Sequence, residues 1–428
     1  MTSKPAHRPR TGAVAGALLL ALALAPAWAR PAEARQRAST LRIYVDCAAC
    51  DFDYLRQHVG FVEYVRDRNA ADVHLLVLTE TTGGGGRVWT LMFIGYDRFR
   101  GQNRTLEFAT PQSATQDDQR RELARVFRLG LVVYAAGMPV LDQLDVTWRE
   151  AATPADAELR RSDDGWDHWV FRIDAGGDLS GERRSRFESF RYAVSASRVT
   201  EGWKLNVSAA NQTDRRRFEF EGEAPLDSER ESWDAELLLV RSLGGHWAVG
   251  SKLSLSQSSF ANTDRSSSAR AGIEVDLFPY RESSRRSLTA QYTVGADRHE
   301  YREVTVYDKL EELVPVHELD LSAGFRQPWG ALTARGTFSQ QLEHPDRHRA
   351  TLWGATDVQV ASGFSVTIYG EYSRIRDQIS LPKAGATRDE VLLRLQELAT
   401  NYSYLVGVGV SYSFGSIFNS VVNPRFAR

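Results

Sequence analysis

The feature that most constrains this chain is a period-two alternation of apolar and polar side chains that runs from Trp166 to Phe414. Successive side chains of a β-strand point to opposite faces, so this period predicts strands with one apolar and one polar face. In one strand the apolar residues are Trp203, Leu205, Val207 and Ala209. They alternate with the polar residues Lys204, Asn206 and Ser208. We assign twelve such strands between residues 166 and 414.

The polar faces of these strands are strongly charged. Their charged members include Arg172, Asp174, Arg191, Lys204, Arg270, Glu274, Asp276, Glu318, Asp320, Arg335 and Glu371. A charge that faces lipid costs about 2–4 kcal/mol at the bilayer midplane, so these residues must line an enclosed lumen if the apolar rows meet hydrocarbon. The pattern predicts a mainly β chain with a twelve-stranded antiparallel transmembrane β-barrel over 166–414. The charged residues either line a narrow aqueous pore or pair across the lumen and close it.

Long and short connections alternate between the predicted strands. The long or charged ones are 211–231, 297–316 and 377–400, and the short ones are 198–202, 242–245, 327–330 and 361–363. This asymmetry resembles that of Gram-negative outer-membrane barrels, which implies that both chain ends lie in the periplasm. Phe414 resembles the terminal aromatic residue of such barrels, although a tail, 415–428, follows it here.

A soluble β-sandwich is the alternative, because its strands alternate in the same way. The length of the alternation, the uniform strand size of about ten residues and the aromatic strand ends favour the barrel.

The last long loop carries a further signal. Thr387-Arg388-Asp389-Glu390 is a capping box, and an apolar stripe follows it. This predicts a helix that is either a lid over the barrel mouth or packed on neighbouring loops.

The N-terminus has the pattern of a secretory signal peptide over residues 1–34. Lys4, His7, Arg8 and Arg10 form a positive region, an apolar run covers 12–25, and Ala27-Trp28-Ala29 and Ala32-Glu33-Ala34 each offer a cleavage site. The apolar run is too short to span a bilayer.

Residues 39–150 have mixed periodicity and predict a small α+β domain. We assign strands at 41–46, 73–79, 88–94 and 104–108, and helices at 51–59 and 116–136. A polar linker, 151–165, separates this domain from the barrel. The runs 71–77 (ADVHLLV), 89–93 (WTLMF) and 121–125 (RELAR) resemble the N-terminal domain of TolB-type periplasmic proteins. The resemblance implies a periplasmic docking module and carries no catalytic residue across.

Two motifs in this domain have alternative interpretations. Cys47 and Cys50 lie between a strand and a helix start, as in thioredoxin-type sites, but Asp46 opposes a thiolate, so a local structural disulfide is favoured over redox catalysis. Gly83 to Gly86 precede a strand and lack the following helix and lysine of a phosphate loop. They therefore predict a hairpin turn.

Composition excludes several functional classes. The 53 basic and 55 acidic residues nearly balance, so nucleic acid is not an expected partner. No Cys/His spacing indicates zinc and no Asp-rich loop indicates calcium, so we expect no metal or cofactor. Twelve-stranded outer-membrane phospholipases make hydrolysis an alternative that would need a Ser–His pair. The histidines in or beside predicted external loops, His299, His317, His344 and His348, fall in no recognisable nucleophile motif.

We therefore predict an outer-membrane protein that is not an enzyme and forms a pore or transporter for small polar solutes. The alternative is a structural or docking protein whose periplasmic domain, 39–150, binds a periplasmic partner. An outer-membrane hydrolase is the third hypothesis.

Overall fold

A computed structural model describes residues 40–136, 138–139, 165–219, 222, 224–385, 397–416, 418 and 425. The predicted signal peptide lies outside the described residues, as do most of the linker, the loop helix and the C-terminal tail.

The N-terminal domain has a five-stranded sheet with the order β2-β1-β3-β4-β5. The strands are β1 (Leu41–Asp46), β2 (Val62–Tyr64), β3 (Val73–Thr81), β4 (Arg87–Gly95) and β5 (Arg104–Thr110), and the helices are α1 (Phe52–His58) and α2 (Gln116–Ala135). β1 runs parallel to β2 and β3, whereas β3, β4 and β5 are antiparallel neighbours. β2 was not predicted, because three residues are too few to establish a period.

The core of this domain lies between the helices and one face of the sheet. Phe93 and Phe127 are fully buried there, and the Phe93 ring occupies the space beside Gly130 of α2, where a Cβ atom would lie 2.0 Å from the ring. α2 begins with a capping box in which Thr115 and Asp118 each bond the other's backbone amide. The predicted helical stripe of α2 is therefore the face that packs on the sheet.

The second part of the chain is a twelve-stranded antiparallel sheet in which sequential strands are neighbours. The strands are β6 (Trp169–Glu182), β7 (Ser185–Val199), β8 (Trp203–Phe218), β9 (Leu226–Ser242), β10 (Trp247–Ser258), β11 (Thr263–Asp276), β12 (Arg286–Tyr301), β13 (Glu311–Gln327), β14 (Gly330–Gln341), β15 (His348–Ala361), β16 (Phe364–Ile375) and β17 (Tyr402–Tyr412). The predicted fold class, a mainly β chain with twelve antiparallel strands after a small α+β domain, is confirmed.

The strands are longer than the ten residues predicted, at 11 to 17 residues each. The predicted loops 211–231 and 297–316 are largely strand, and only 219–225 and 302–310 connect β8 to β9 and β12 to β13. β6 and β7 are joined by a tight turn, Arg183-Arg184. The extensions of β8 and β9 are mostly polar on both faces, and the start of β13 is apolar on both, with Leu313 on one face and Val314 and Val316 on the other. They are held by backbone pairing, which leaves no alternation for sequence analysis to detect.

The sheet is rolled, with its charged face inside. The Asn262 side chain, beside β11, donates to the Ser380 carbonyl, which follows β16. In a flat sheet these strands would lie about 24 Å apart at about 4.8 Å per step. The five residues from Ile375 to Ser380 reach at most about 18 Å. Ile379 also packs against Val314 and Val316, which share a face with Glu318, so this face is concave.

β6 and β17 are the two ends of the rolled sheet. Within the described residues, each has a hydrogen-bonded ladder on one side only, β6 with β7 and β17 with β16. β6 runs antiparallel to β17, because the strands between them are even in number and alternate in direction. Their free edges can therefore pair without any change of topology.

Candidate functional site

The candidate site is the charged interior of the barrel. A cavity of about 460 Å³ opens along strands β9 to β14. Predicted residues that line it are Arg270, Glu274, Glu318, Asp320 and Arg335, and Lys252 and Asp297 also line it. The strand registers place Thr293 of β12 opposite Glu318 of β13, and Gln291 opposite Asp320. The period-two pattern therefore brings side chains from six neighbouring strands to one wall.

Ion pairs connect neighbouring strands along this wall. Arg270 donates to Asp297 at 2.7 Å and to Glu318 at 3.0 Å, joining β11 to β12 and β13. Arg335 of β14 lies 2.5 Å from Asp320 of β13, and Lys252 of β10 lies 2.6 Å from Glu236 of β9. All of these pairs run along the wall. They leave a cavity beside it.

Asp297 is the residue of this network that sequence analysis misplaced, since it was assigned to a loop. It continues the inward row of Gln291 and Thr293 along β12. This polar row could have predicted that Asp297 faces inward. It can be followed to Asp297 only if β12 is extended beyond its apolar segment.

Two predicted lining residues lie at the end of β11 in different environments. Glu274 lines the cavity and accepts a hydrogen bond from the phenol of Tyr280 at 3.1 Å. Asp276 is 1% exposed, and its Oδ1 accepts from the backbone amides of Phe278 and Leu288. Asp276 is thus a structural residue of the turn, and its assignment to the lumen lining is corrected.

The remaining predicted lining residues lie on the opposite wall. Arg172, Asp174, Arg191 and Lys204 belong to β6, β7 and β8, on the same face by register, and Glu371 belongs to β16. Arg191 lies 3.3 Å from Asp178. These side chains share the concave face with the cavity, but they do not line it.

A segment of the loop after β16, residues 376–385, crosses one mouth of the barrel. Asp377 is 2.9 Å from Arg349, and Lys383 pairs with Asp308 in the loop between β12 and β13. Val306 donates its backbone amide to the Leu381 carbonyl, and Lys383 donates to the Val304 carbonyl. Because Ile379 is buried in between, this loop narrows the mouth.

The N-terminal domain contacts the opposite mouth, where β6 begins, β17 ends and the turns after β7, β13 and β15 lie. Arg68 donates to the carbonyls of Pro328 and Gln359, and Asp67 bonds Ser362. Further contacts reach β6, β7 and the turn after β11, through the pairs Gln112–Arg172, Gly83–Ser197 and Glu80–Ser283. The predicted glycine hairpin turn is one of these contact points. Gly83 lies so close to Val199 that a Cβ atom on it would be 2.3 Å away.

Cys47 and Cys50 form a disulfide with a Cα–Cα distance of 5.6 Å. Cys47 is part of the core of the domain, and Ala48 and Ala49 face the turn around Trp329 of the barrel. The disulfide therefore shapes a loop at the contact between the domain and the barrel.

The structure also places one serine beside a histidine inside the barrel. Ser266 Oγ lies 3.1 Å from Nδ1 of His299. The carboxylates nearby are engaged elsewhere, since Asp297 bonds Ser268 and Arg270, and Glu312 bonds Tyr301. A hydrolase would need a third group to orient the imidazole.

The other three histidines do not join this pair. His317 bonds Gln340 on the outer face, His344 lies in the loop after β14, and His348 lies beside Pro345. Among the described residues, no group of three or more His, Cys, Asp or Glu side chains could hold a metal ion.

Comparisons with known proteins give structural likenesses only. No family model and no curated protein matches the chain. The NanC porin is 12% identical and covers 57% of this chain and 100% of its own, with a TM-score of 0.28. The translocator domain of the autotransporter NalP from Neisseria meningitidis is 15% identical over 61% of this chain and 95% of its own, with a TM-score of 0.25. The β domain of the Bordetella autotransporter BrkA is 14% identical over 57% and 98%, with a TM-score of 0.24. No helix in the described part of the chain is long and apolar enough to cross a membrane.

Proposed function

We propose that the protein is a non-enzymatic outer-membrane β-barrel that forms a pore for small polar solutes, with its N-terminal domain held against the periplasmic mouth. The observation that carries this proposal is the sidedness of the rolled sheet. Its convex face exposes large apolar side chains, such as Leu253 at 49%, Leu352 at 63% and Val408 at 67%, whereas its concave face holds ion pairs beside a cavity. Soluble monomers rarely expose an apolar band of this extent, and contact with hydrocarbon accounts for it.

The geometry of the connections supports a periplasmic placement of the domain. The domain contacts the barrel end at which β6 begins and β17 ends, through the short turns after β13 and β15, and in bacterial outer-membrane barrels the short turns face the periplasm. The Tyr44 phenol lies in the region where the domain contacts the barrel, near Asp357. Burial raises the pKa of this phenol, so it remains neutral.

The test is conductance of the full-length protein in planar bilayers. We expect discrete channels whose conductance falls in Thr293→Trp, because Thr293 lines the cavity. Val294→Trp is the matched control, since Val294 is 46% exposed on the convex face of the same strand. Folded protein without any current would overturn the pore, and equal conductance in the two variants would show that the current does not pass this cavity.

A docking role for the N-terminal domain is the second candidate. Leu129 and Val133 are 45% and 41% exposed on the face of α2 that is turned away from the sheet. This apolar strip offers a periplasmic partner a surface while the opposite face of the sheet contacts the barrel. Site-specific crosslinking from Leu129 in intact cells tests this role, with exposed Arg121 of the same helix as the control position.

A further inference from the structure

We propose that the lumen selects small cations over anions, an inference that rests on the pore function proposed above. Fixed charges in a narrow passage with low-dielectric walls concentrate mobile ions of the opposite sign. The sign of selectivity is therefore set by the charges that remain after the ion pairs along the wall are counted.

The cavity wall formed by β9 to β14 carries an excess of carboxylates. Its basic residues are Lys252, Arg270 and Arg335. Its acidic residues are Glu274, Asp297, Glu318 and Asp320, together with Glu236, which pairs with Lys252. The wall thus holds three positive and five negative groups, an excess of two negative charges.

Each positive group on this wall is neutralised by a carboxylate within hydrogen-bond distance. Arg270 is bound by two carboxylates at once, Asp297 at 2.7 Å and Glu318 at 3.0 Å. Glu274 accepts a hydrogen bond from the phenol of Tyr280 and takes part in no ion pair of this wall. A permeating anion would therefore meet no basic side chain on this wall without a carboxylate beside it.

The opposite wall does not compensate for this excess. Its predicted lining residues contribute the positive charges of Arg172, Arg191 and Lys204. They are matched by Asp174 and Glu371, together with Asp178, which pairs with Arg191. The three positive and three negative groups among these six residues cancel, so they do not reverse the sign of the cavity wall.

The experiment is the reversal potential of the full-length protein in a bilayer separating unequal KCl solutions. We expect potassium to be severalfold more permeant than chloride. Glu274→Gln should lower this ratio, because it removes a lumen charge that takes part in no ion pair of the cavity wall. Glu318→Gln should lower it further, because Arg270 then keeps a single carboxylate partner.

The matched control is Glu300→Gln. Glu300 lies on β12 beside Arg298 on the convex face, so its removal changes the net charge of the protein equally but not that of the lumen. Heat-modifiable migration in detergent gels verifies folding of each variant. A potassium-to-chloride permeability ratio at or below one overturns the selectivity and leaves the pore proposal intact. A Glu274→Gln ratio equal to that of Glu300→Gln also overturns the selectivity, and a complete absence of current overturns the pore and the selectivity together.

Discussion

Nη1 of Arg68, in the N-terminal domain, lies 2.6 Å from the carbonyl oxygen of Pro328, in the tight turn between β13 and β14. The same guanidinium reaches the Gln359 carbonyl at the end of β15 at 3.4 Å. One side chain thus joins the domain to the turn between β13 and β14 and to the end of β15.

Arg68→Ala should loosen this contact. A hydrogen bond from a charged donor contributes about 1.5–3 kcal/mol, so the domain should leave the mouth more often. We expect faster proteolysis of the domain in the folded protein and more frequent channel opening. Arg128→Ala, an exposed position on α2, is the control. Identical proteolysis of the two variants would mean that Arg68 does not hold the domain in place.

The two faces of the barrel should tolerate charge differently. Leu253 is 49% exposed on the convex face of β10, and Ser254, the next residue, lines the cavity. Leu253→Arg should destabilise the protein in bilayers by about 2–4 kcal/mol, because a lipid-facing arginine at the midplane costs that much. Ser254→Arg should cost far less, because its side chain reaches water. Urea unfolding in lipid vesicles measures both, and a larger loss for Ser254→Arg would reverse the assignment of the faces.

How much the sequence predicts depends on whether a residue belongs to the apolar band. Every strand that crosses it was predicted, since rows such as Leu205 and Val207 must avoid water. The extension of β8 through Arg216 and Arg217 was assigned to a loop, because both of its faces are polar. An alternating apolar–polar pattern identifies strands that contact an apolar phase. It is absent where backbone pairing alone holds a strand.

The candidate site divides in the same way. The inward direction of Arg270 and Glu318 follows from parity alone. Their hydrogen bond does not, because it joins strands that are not adjacent and depends on the curvature of the sheet. The contact of Arg68 with Pro328 also cannot be predicted from the sequence, since no local sequence pattern determines how one domain packs on another.

Tyr369 and Gly407 form a close contact on the concave face between β16 and β17. They are register partners, and a Cβ atom on Gly407 would lie 2.2 Å from the Tyr369 ring. Gly407→Ala should cost about 1–3 kcal/mol, because the ring must leave its position. Gly409→Ala is the matched control on the same face, where the nearest atom would be 3.9 Å away. Unfolding midpoints in lipid vesicles compare the two variants, and equal midpoints would contradict this packing.

Asp51 should make the stability of α1 dependent on pH. Its carboxylate accepts from the Tyr54 backbone amide at 2.9 Å and from Arg120 at 3.2 Å. The hydrogen bond from Tyr54, followed by that from Arg120, lowers the pKa of Asp51 below its usual range. A carboxyl group whose folded pKa is depressed stabilises the folded state above its unfolded pKa. This contribution is lost as the pH falls through the folded value.

Asp51→Asn keeps a capping oxygen but does not titrate, so it isolates the charge. At neutral pH we expect amide hydrogen exchange in α1 to be faster in Asp51→Asn than in the unmodified protein. The difference should shrink below about pH 4, where aspartate becomes protonated. Asp51→Ala removes the cap itself and should cost about 1 kcal/mol at every pH at which the domain is folded. If the gap between the aspartate and asparagine forms stays constant down to pH 2, after correction for intrinsic exchange rates, the stabilisation comes from the cap geometry and not from its charge.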